Sequence, residues 1–288
     1  MNFGLETYTL PESEYMVAGF AIRPTSSWWA SFSNNGSVQV RLSMSGTVLS
    51  VYRGPSEVLL ASMDLAGIYF MSEWYHFEFA ARIHDTQGTI EVRFNGIQLP
   101  ALTLTGLDTK PASVTVINGF QLAAYDRFTD IYVDTEFFHG DCIVETLYPT
   151  GAGNHADWIP SGGLQAGSNY MNVDDPGNID GDDTYNMSLS QGDKDSFVAG
   201  NLVSRPTSVV KGVAMFLAAR KDEAGSREMK PMLRIGGADY LHPDDGFILS
   251  DIYHGAQRIW EENPATEAGW TESGVNGAEI GYDLVTGS

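Results

Sequence analysis

Hard cations take carboxylate and carbonyl oxygens on flexible loops, and one run of this 288-residue chain offers them: Asp174, Asp175, Asp180, Asp182 and Asp183, interleaved with Pro176, Gly177, Asn178 and Gly181. Calcium is the ion that this chemistry admits. The spacing is not that of an EF-hand loop, because Pro176 stands third when counted from Asp174, and Asp183 replaces the required glycine when counted from Asn178. A solvated acidic turn is the other reading of the same residues, and no cofactor is required. Flat aromatic faces that could stack on a sugar ring are offered by Trp28, Trp29 and Trp158. Adjacent residues of a strand point to opposite faces, so one of Trp28 and Trp29 is expected in the core and the other outside or in a subunit contact. Trp74 breaks the polar parity of its strand and suits a protein contact.

Other chemistry finds less support. The six histidines never fall into HxxxH, HxH or a Cys-His spacing, and His76 and His84 share parity with Glu78 and Arg82, on a face expected to be solvated. Cys142 is the only cysteine, which excludes an intrachain disulfide and reads as a small hydrophobe. There is no Gly-x-Ser-x-Gly and no phosphate-binding Gly-x-x-x-x-Gly-Lys. The acidic strand Asp130 to Glu136 has the wrong residue types and intervals for the acid and nucleophile of a glycosidase.

The elements that must position these residues are strands. Around Trp74 to Leu99 the register follows from residue identity. Asn95-Gly96 is a hairpin signal, since a two-residue type I′ turn needs φ > 0 at both positions. Folding there sets Phe94 against Ile97, Arg93 against Gln98 and Val92 against Leu99. The turn Asp85-Thr86-Gln87-Gly88 predicts Ile83 against Ile90, Arg82 against Glu91, Ala81 against Val92 and Phe79 against Phe94. The result is a meander with one dry face, which implies a second sheet packed on it. Met16 to Arg23, Ser37 to Leu42, Thr47 to Tyr52, Val58 to Met63 and Ile131 to Val133 read as further strands, and Ala112 to Ile117 and Gln121 to Ala124 as the arms of a hairpin at Asn118-Gly119. This first domain spans residues 1–138.

Residues 139–288 read as a second, smaller β-sandwich. Cys142 to Leu147 is predicted as a strand and Pro149 to Asp183 as mostly loop. Val209 to Ala219 and Arg227 to Ile235 are predicted to form a long hairpin across Lys221 to Ser226. Phe247 to Trp260 supplies further extended segments, Thr271 to Gly277 a helical turn, and Ala278 to Val285 a terminal strand.

Composition bounds the partners. Hydrophobic residues make up 43% of the chain, enough for packed cores, while no run of about 18 apolar residues occurs. The N-terminus lacks the basic-then-apolar order of a secretory signal, so no encoded export is expected. A net charge of -21 argues against nucleic acid and anionic membranes as partners, both being polyanions. Residues 1–150 carry 16 acids and 7 bases and residues 151–288 carry 21 and 9, so both halves share the charge.

The stretch WYHFEFAARIHDTQGTIEVRFNG, within Gly67 to Gln98, resembles the laminin-G-like (concanavalin A-like) jelly roll. GDCIVETLYPTGAG, GDDTYN with GDKDSF, KDEAGSR, and ENPATEAGWT followed by VN resemble segments of tailed-phage structural proteins that carry this jelly roll; together the likeness spans roughly residues 15 to 285. The resemblance implies an all-β protein without enzymatic activity. It implies a virion component of capsid, tail or fibre, assembled in the bacterial cytoplasm and exposed on the particle, with a lean towards capsid decoration. Its partners would be other virion proteins and copies of itself, usually as a trimer. A host glycan is the partner under the alternative of a receptor-recognition module. The jelly roll also hosts glucanases, but their Glu-x-Asp-x-x-Glu or Glu-x-Asp-x-Glu spacing is absent here. Members commonly have a strand before the one at Met16, which this sequence is expected to lack, leaving a sheet edge for a neighbouring subunit to complete.

Overall fold

A computed structural model describes residues 6–111, 114–123, 127–176, 179–205, 207, 209–244 and 246–287. The chain divides into two compact units, Met1–Val144 and Glu145–Ser288. Residues 139–144, assigned to the second domain from sequence, side with the first unit; Gly140 N–H donates to Glu78 Oε1 at 2.8 Å.

The first unit has strands β1 (Glu6–Ser13), β2 (Tyr15–Arg23), β3 (Trp28–Asn34), β4 (Ser37–Ser45), β5 (Val48–Arg53), β6 (Val58–Asp64), β7 (Tyr75–Arg82), β8 (Gly88–Phe94), β9 (Ile97–Gln98), β10 (Leu104–Leu107), β11 (Ile117–Ala123) and β12 (Arg127–Asp134). They form two antiparallel sheets, in the order β1-β11-β3-β4-β5-β6 and β10-β8-β7-β2-β12, with β9 paired to the end of β8. This is a laminin-G-like, concanavalin A-like jelly-roll sandwich. Its core is dry and aromatic: Trp28 packs edge-on against Phe77 at 4.9 Å and Phe20 at 5.6 Å, and Phe32 stacks on Phe79 at 4.8 Å. Each such side chain, fully buried, stabilises the fold by about 1.5–3 kcal/mol before entropy is counted.

The Asn95-Gly96 turn forms as expected, with φ of 48° and 76° and the pairs Phe94–Ile97 and Arg93–Gln98. The neighbouring pairing keeps the expected parity but is offset by two residues: Phe77 faces Phe94, Phe79 faces Val92 and Ala81 faces Ile90. The cause is a wider connection. His84 Nδ1 accepts the Thr86 and Gln87 N–H groups at 3.0 and 2.9 Å, and the Ile83 N–H goes to Glu14 O instead of across the hairpin. Arg82 consequently faces Thr89, and Glu91 pairs with Arg93 on its own strand at 2.8 Å.

Three further expectations are corrected. The edge strand anticipated as missing is present: β1 pairs with β11, and its register shifts between Thr9 and Ser13, around Pro11, where an edge strand tolerates proline. Asn118-Gly119 is not a hairpin but lies inside β11. A Cβ on Gly119 would sit 2.6 Å from Ser33 Oγ, and the Asn118 side chain exchanges hydrogen bonds with Asn35, at the β3–β4 turn. Ala112, Ser113 and Ala124, the outer residues of the two expected arms, lie outside the described residues. Finally, the outward face of β7 is not solvated, because His76, Glu78 and Ala80 are all buried.

The second unit has β13 (Pro149–Ala156), β14 (Ile159–Pro160), β15 (Asn186–Met187), β16 (Lys194–Ala199), β17 (Val213–Ala219), β18 (Arg227–Ile235), β19 (Ala238–Leu241), β20 (Phe247–Ile248), β21 (His254–Trp260), β22 (Glu262–Asn263), β23 (Ala268–Gly269) and β24 (Glu279–Gly287). One helical turn, α1 (Glu272–Asn276), is capped by Thr271, whose side chain accepts the Gly274 N–H. The main sheet runs β13-β16-β24-β18-β19, with β20 also on β18, and the β17–β21 pair covers it as a second layer. This is the second β-sandwich expected from sequence, differently wired, and its unit is as long as the first, not smaller. Cys142 to Leu147 is not a strand, and the first strand begins at Pro149. β17 and β18 do not form a hairpin. β17 pairs with β21 and β18 with β24 and β19, so the polar connection carries the chain between layers, with Lys221 N–H bonded to Ser250 O.

Candidate functional site

Four places gather groups capable of binding or chemistry. On the outward face of the sheet that contains β7, Tyr132, Gly19 and Glu78 are successive cross-strand neighbours on β12, β2 and β7. A Cβ at position 19 would lie 2.1 Å from the Tyr132 ring, so glycine there lets that ring cross β2 and donate from its hydroxyl to Glu78 Oε1 at 2.5 Å. The Tyr132 oxygen accepts the His139 N–H at 3.0 Å. His139 Nε2 meets Asp134 Oδ2 at 2.7 Å, and Asp134 Oδ1 accepts the Glu136 and Phe137 N–H groups. Arg93 lies over the Phe138 ring at 3.9 Å. Residues 134–140 therefore form a strap stapled across the sheet. Cys142 sits behind it, its Sγ 3.7 Å from His139 O.

Beneath the strap, neither ring nitrogen of His76 nor Glu78 Oε2 has a hydrogen-bond partner among the described residues. Burial pushes the His76 pKa down, against the opposing pull of Asp141, Glu78 and Asp130, so the ring is neutral. Burial, then the Glu78 hydrogen bond, pushes the Tyr132 hydroxyl far above its ordinary value. The expectation of a surface His76 is thus overturned: parity reports which way a side chain points, not what lies over it. His84, by contrast, is partly exposed and organises its turn.

The outward face of the other sheet, around β3 and β4, is the second place. Trp28 is buried and donates from Nε1 to the Tyr69 hydroxyl at 3.0 Å, whereas Trp29 faces outward and is partly exposed. The Arg41 guanidinium lies 5.8 Å from the Trp29 ring centre and 5.6 Å from that of Tyr52, and it pairs with Glu57 at 2.5 Å. Ser31 and Gln121 continue the polar row at 3.3 Å. The row offers aromatic edges and faces beside a fixed cation, an arrangement able to contact a polyhydroxylated ligand.

In the acidic loop the carboxylates are engaged separately. Asp182 is held by Arg220 at 3.0 Å and by the Tyr253 hydroxyl at 2.8 Å, while Asp180 accepts the Thr184 hydroxyl at 2.6 Å. Burial, then Asp180, raises the Asp175 pKa. Among the described residues no group of three His, Cys, Asp or Glu side chains is gathered to hold a metal, so Asp174, Asp175, Asp180, Asp182 and Asp183 do not converge on one point. Gly177 and Asn178 lie outside the described residues.

Sequence reasoning missed the polar networks of the second unit. Asp195, fully buried, accepts the Trp158 N–H at 3.1 Å, Asn169 Nδ2 at 2.7 Å and the Tyr282 hydroxyl at 3.4 Å; burial outweighs these bonds and pushes its pKa up to about 6. Trp158 packs edge-on against Tyr282 at 4.8 Å with its Nε1 on Asp193 O, which spends it on the core and not on a sugar platform. Asp239 collects Lys194 at 3.0 Å, His155 at 3.0 Å and Arg234 at 2.5 Å. Burial alone would raise its pKa, but the hydrogen bonds from Lys194, His155 and Arg234 hold it well below the carboxylate range. These residues come from four strands, so no local spacing announces them. A groove of about 400 Å³ lies in the same unit, lined by Leu217, Met229, Phe247, Leu249 and His254.

No protein-family model and no curated protein matches the sequence. Among solved structures the chain is similar to sheep galectin-11 (9% identity, 45% of this chain and 95% of that one, TM-score 0.30). It is also similar to a heptameric SAP-like pentraxin from Limulus polyphemus (16% identity, 46% and 70%, TM-score 0.31). Mouse laminin α1 domains LG4-5 match across 98% of this chain and 71% of that one, at 9% identity and a TM-score of 0.33. At these values the fold class stands on the strand order above, and function on the residues.

Proposed function

We propose that this chain is a non-enzymatic structural protein on the surface of a tailed-phage particle, a capsid decoration first and a tail or fibre component otherwise. It is assembled in the host cytoplasm and works without a cofactor, through contacts with other virion proteins and with copies of itself. The phage setting rests on the sequence resemblance over residues 15 to 285. The observation that carries the assembly role is the loop between β6 and β7, which displays Ile68, Phe70, Met71 and Trp74 while its Tyr69 is locked in the core. Large apolar side chains held outward in a fixed loop have the form of a protein contact. The commitment of Glu78, Asp134, Asp195 and Asp239 to internal partners supports a role other than acid–base catalysis. Quantifying the protein in purified particles tests the reading: many copies per particle, with no turnover of polysaccharides by the purified chain, is expected. Absence from particles or measurable turnover removes it.

A second reading, a glycan-recognition module of such a particle, is favoured by the Trp29–Arg41–Tyr52 row. Glycan-array binding that disappears in a folded Trp29→Ala variant would establish it, and an array without signal would remove it.

A further inference from the structure

We propose that a second copy of this chain seats on the end of the first unit built by residues 64–74, patch against patch. The inference rests on the assembly reading above and names the surface that reading needs. Ile68, Phe70, Met71 and Trp74 are 52%, 57%, 43% and 49% exposed, alternating with anchors that are not: Leu65 and Tyr69 are buried, and Tyr69 stacks on Tyr75 at 5.0 Å.

The display is fixed before any partner arrives. Ser72 is held at φ 68°, a left-handed conformation rare for serine, with its N–H on Pro24 O at 2.7 Å and its carbonyl accepting Arg23 Nε at 2.8 Å. Phe70 N–H donates to the Tyr75 hydroxyl at 2.8 Å, and Tyr69 N–H to Leu65 O at 3.0 Å. A loop already ordered in this way loses little conformational entropy on association.

Charge selects the occupant. A net charge of -21 opposes self-association through like-charge repulsion. Residues 64–74 carry only Asp64 and Glu73 as charged groups, Arg23 lies alongside, and Asp64 is occupied by the Ala66 N–H at 2.9 Å. Two copies can therefore meet here at small electrostatic cost. Four half-exposed large side chains amount to roughly 400 Å² of apolar surface per copy, an adequate centre for an interface of about 800 Å² per partner. A patch that meets itself is two-fold, so a dimer and not the trimer expected from the resemblance is the unit formed through this end.

Sedimentation velocity on the full chain over a wide concentration range tests this. The wild type should pass from monomer to dimer, and moving from low to about 0.5 M salt should strengthen association several-fold by screening the net charge. A Phe70→Ser, Trp74→Glu double variant, with unchanged circular dichroism and melting, should associate at least tenfold more weakly. Phe216→Ser, which removes an equally exposed ring from the second unit, should leave the dimer intact. A wild type that stays monomeric, a dimer that survives the double variant, or one abolished by Phe216→Ser overturns the proposal. If the chain is monomeric yet abundant on particles, and the double variant is lost from them, the occupant is another virion protein and the assembly reading stands without a second copy. A dimer from a chain absent from particles keeps this surface and removes the phage reading.

Discussion

The two units share a two-layer β architecture and hold it together differently. In the first, one continuous apolar core runs from Met16 to Leu122, and its polar fastening lies outside the sandwich, in the strap over β7. In the second, the apolar core is broken into two small groups, Phe197–Met229–Leu249–Tyr282 and Met215–Leu233–Trp260–Trp270. Charged and amide networks around Asp195 and Asp239 span the strands between them. A two-layer β unit can thus be secured mainly by water exclusion or largely by paired polar groups, and the two solutions respond differently to mutation and to pH.

The largest expected difference is a cavity in the first unit. Trp28→Ala removes the ring packed on Phe77 and Phe20 and its hydrogen bond to the Tyr69 hydroxyl, at a cost of about 3–5 kcal/mol in urea unfolding of that unit. A loss below about 1 kcal/mol would break the comparison.

Next come opposite pH slopes. Asp195 has its pKa raised from 3.8 to about 6, so the folded second unit holds this proton more tightly than the unfolded chain does. Its stability should fall as pH rises from about 4 to 6, by up to about 3 kcal/mol. His76 is shifted the other way, below 6.5, so the first unit should lose stability as pH falls below that value, when the unfolded chain takes up a proton that the buried ring resists. Melting profiles of the two units between pH 4 and 7 should diverge. Asp195→Asn should flatten one slope and His76→Gln the other; slopes of the same sign in the wild type would contradict the assignment.

Smaller effects follow at the surface fastenings. Tyr132→Phe leaves Glu78 Oε1 with Gly140 N–H alone and should cost about 1–2 kcal/mol, with faster amide exchange at Gly140. Trp29→Ala, which removes a partly exposed ring beside Arg41, should cost less than about 1 kcal/mol. Unchanged exchange at Gly140 would show that the strap is held by something other than the tyrosine.

How far these features could be read from the residues depended on whether their causes were local. The turn at Asn95-Gly96 and the alternation of β7 and β8 rest on neighbouring residues, and both were legible. Their pairing was misjudged by two residues because a strand repeats every two, so hydrophobic parity cannot tell one such register from the next; the loop through His84 decides it. Asn118-Gly119 was misread because the same dipeptide serves close backbone approach as well as turns, and here Ser33 lies against the glycine. The strap and the Asp239 network depend on residues far apart in sequence. Only Gly19, an isolated glycine inside a strand, hinted that something must lie across it. In the second unit the polar connection Lys221 to Ser226 looked like a hairpin turn, since turn composition does not reveal whether the next strand pairs with the last or crosses to another layer.

The pairing of β1 with β11 also bears on how the protein is made. Glu6 finds its partner at Leu122, so a nascent chain lengthening by about 5–20 residues per second exposes the first strand for about ten seconds before the segment it needs leaves the ribosome. Throughout that interval the sheet that contains β3 and β4 has an open margin of backbone donors and acceptors. Many chains translated close together at high yield would be most vulnerable to cross-pairing then, and the early acidic residues Glu6, Glu12 and Glu14 would oppose it by mutual repulsion.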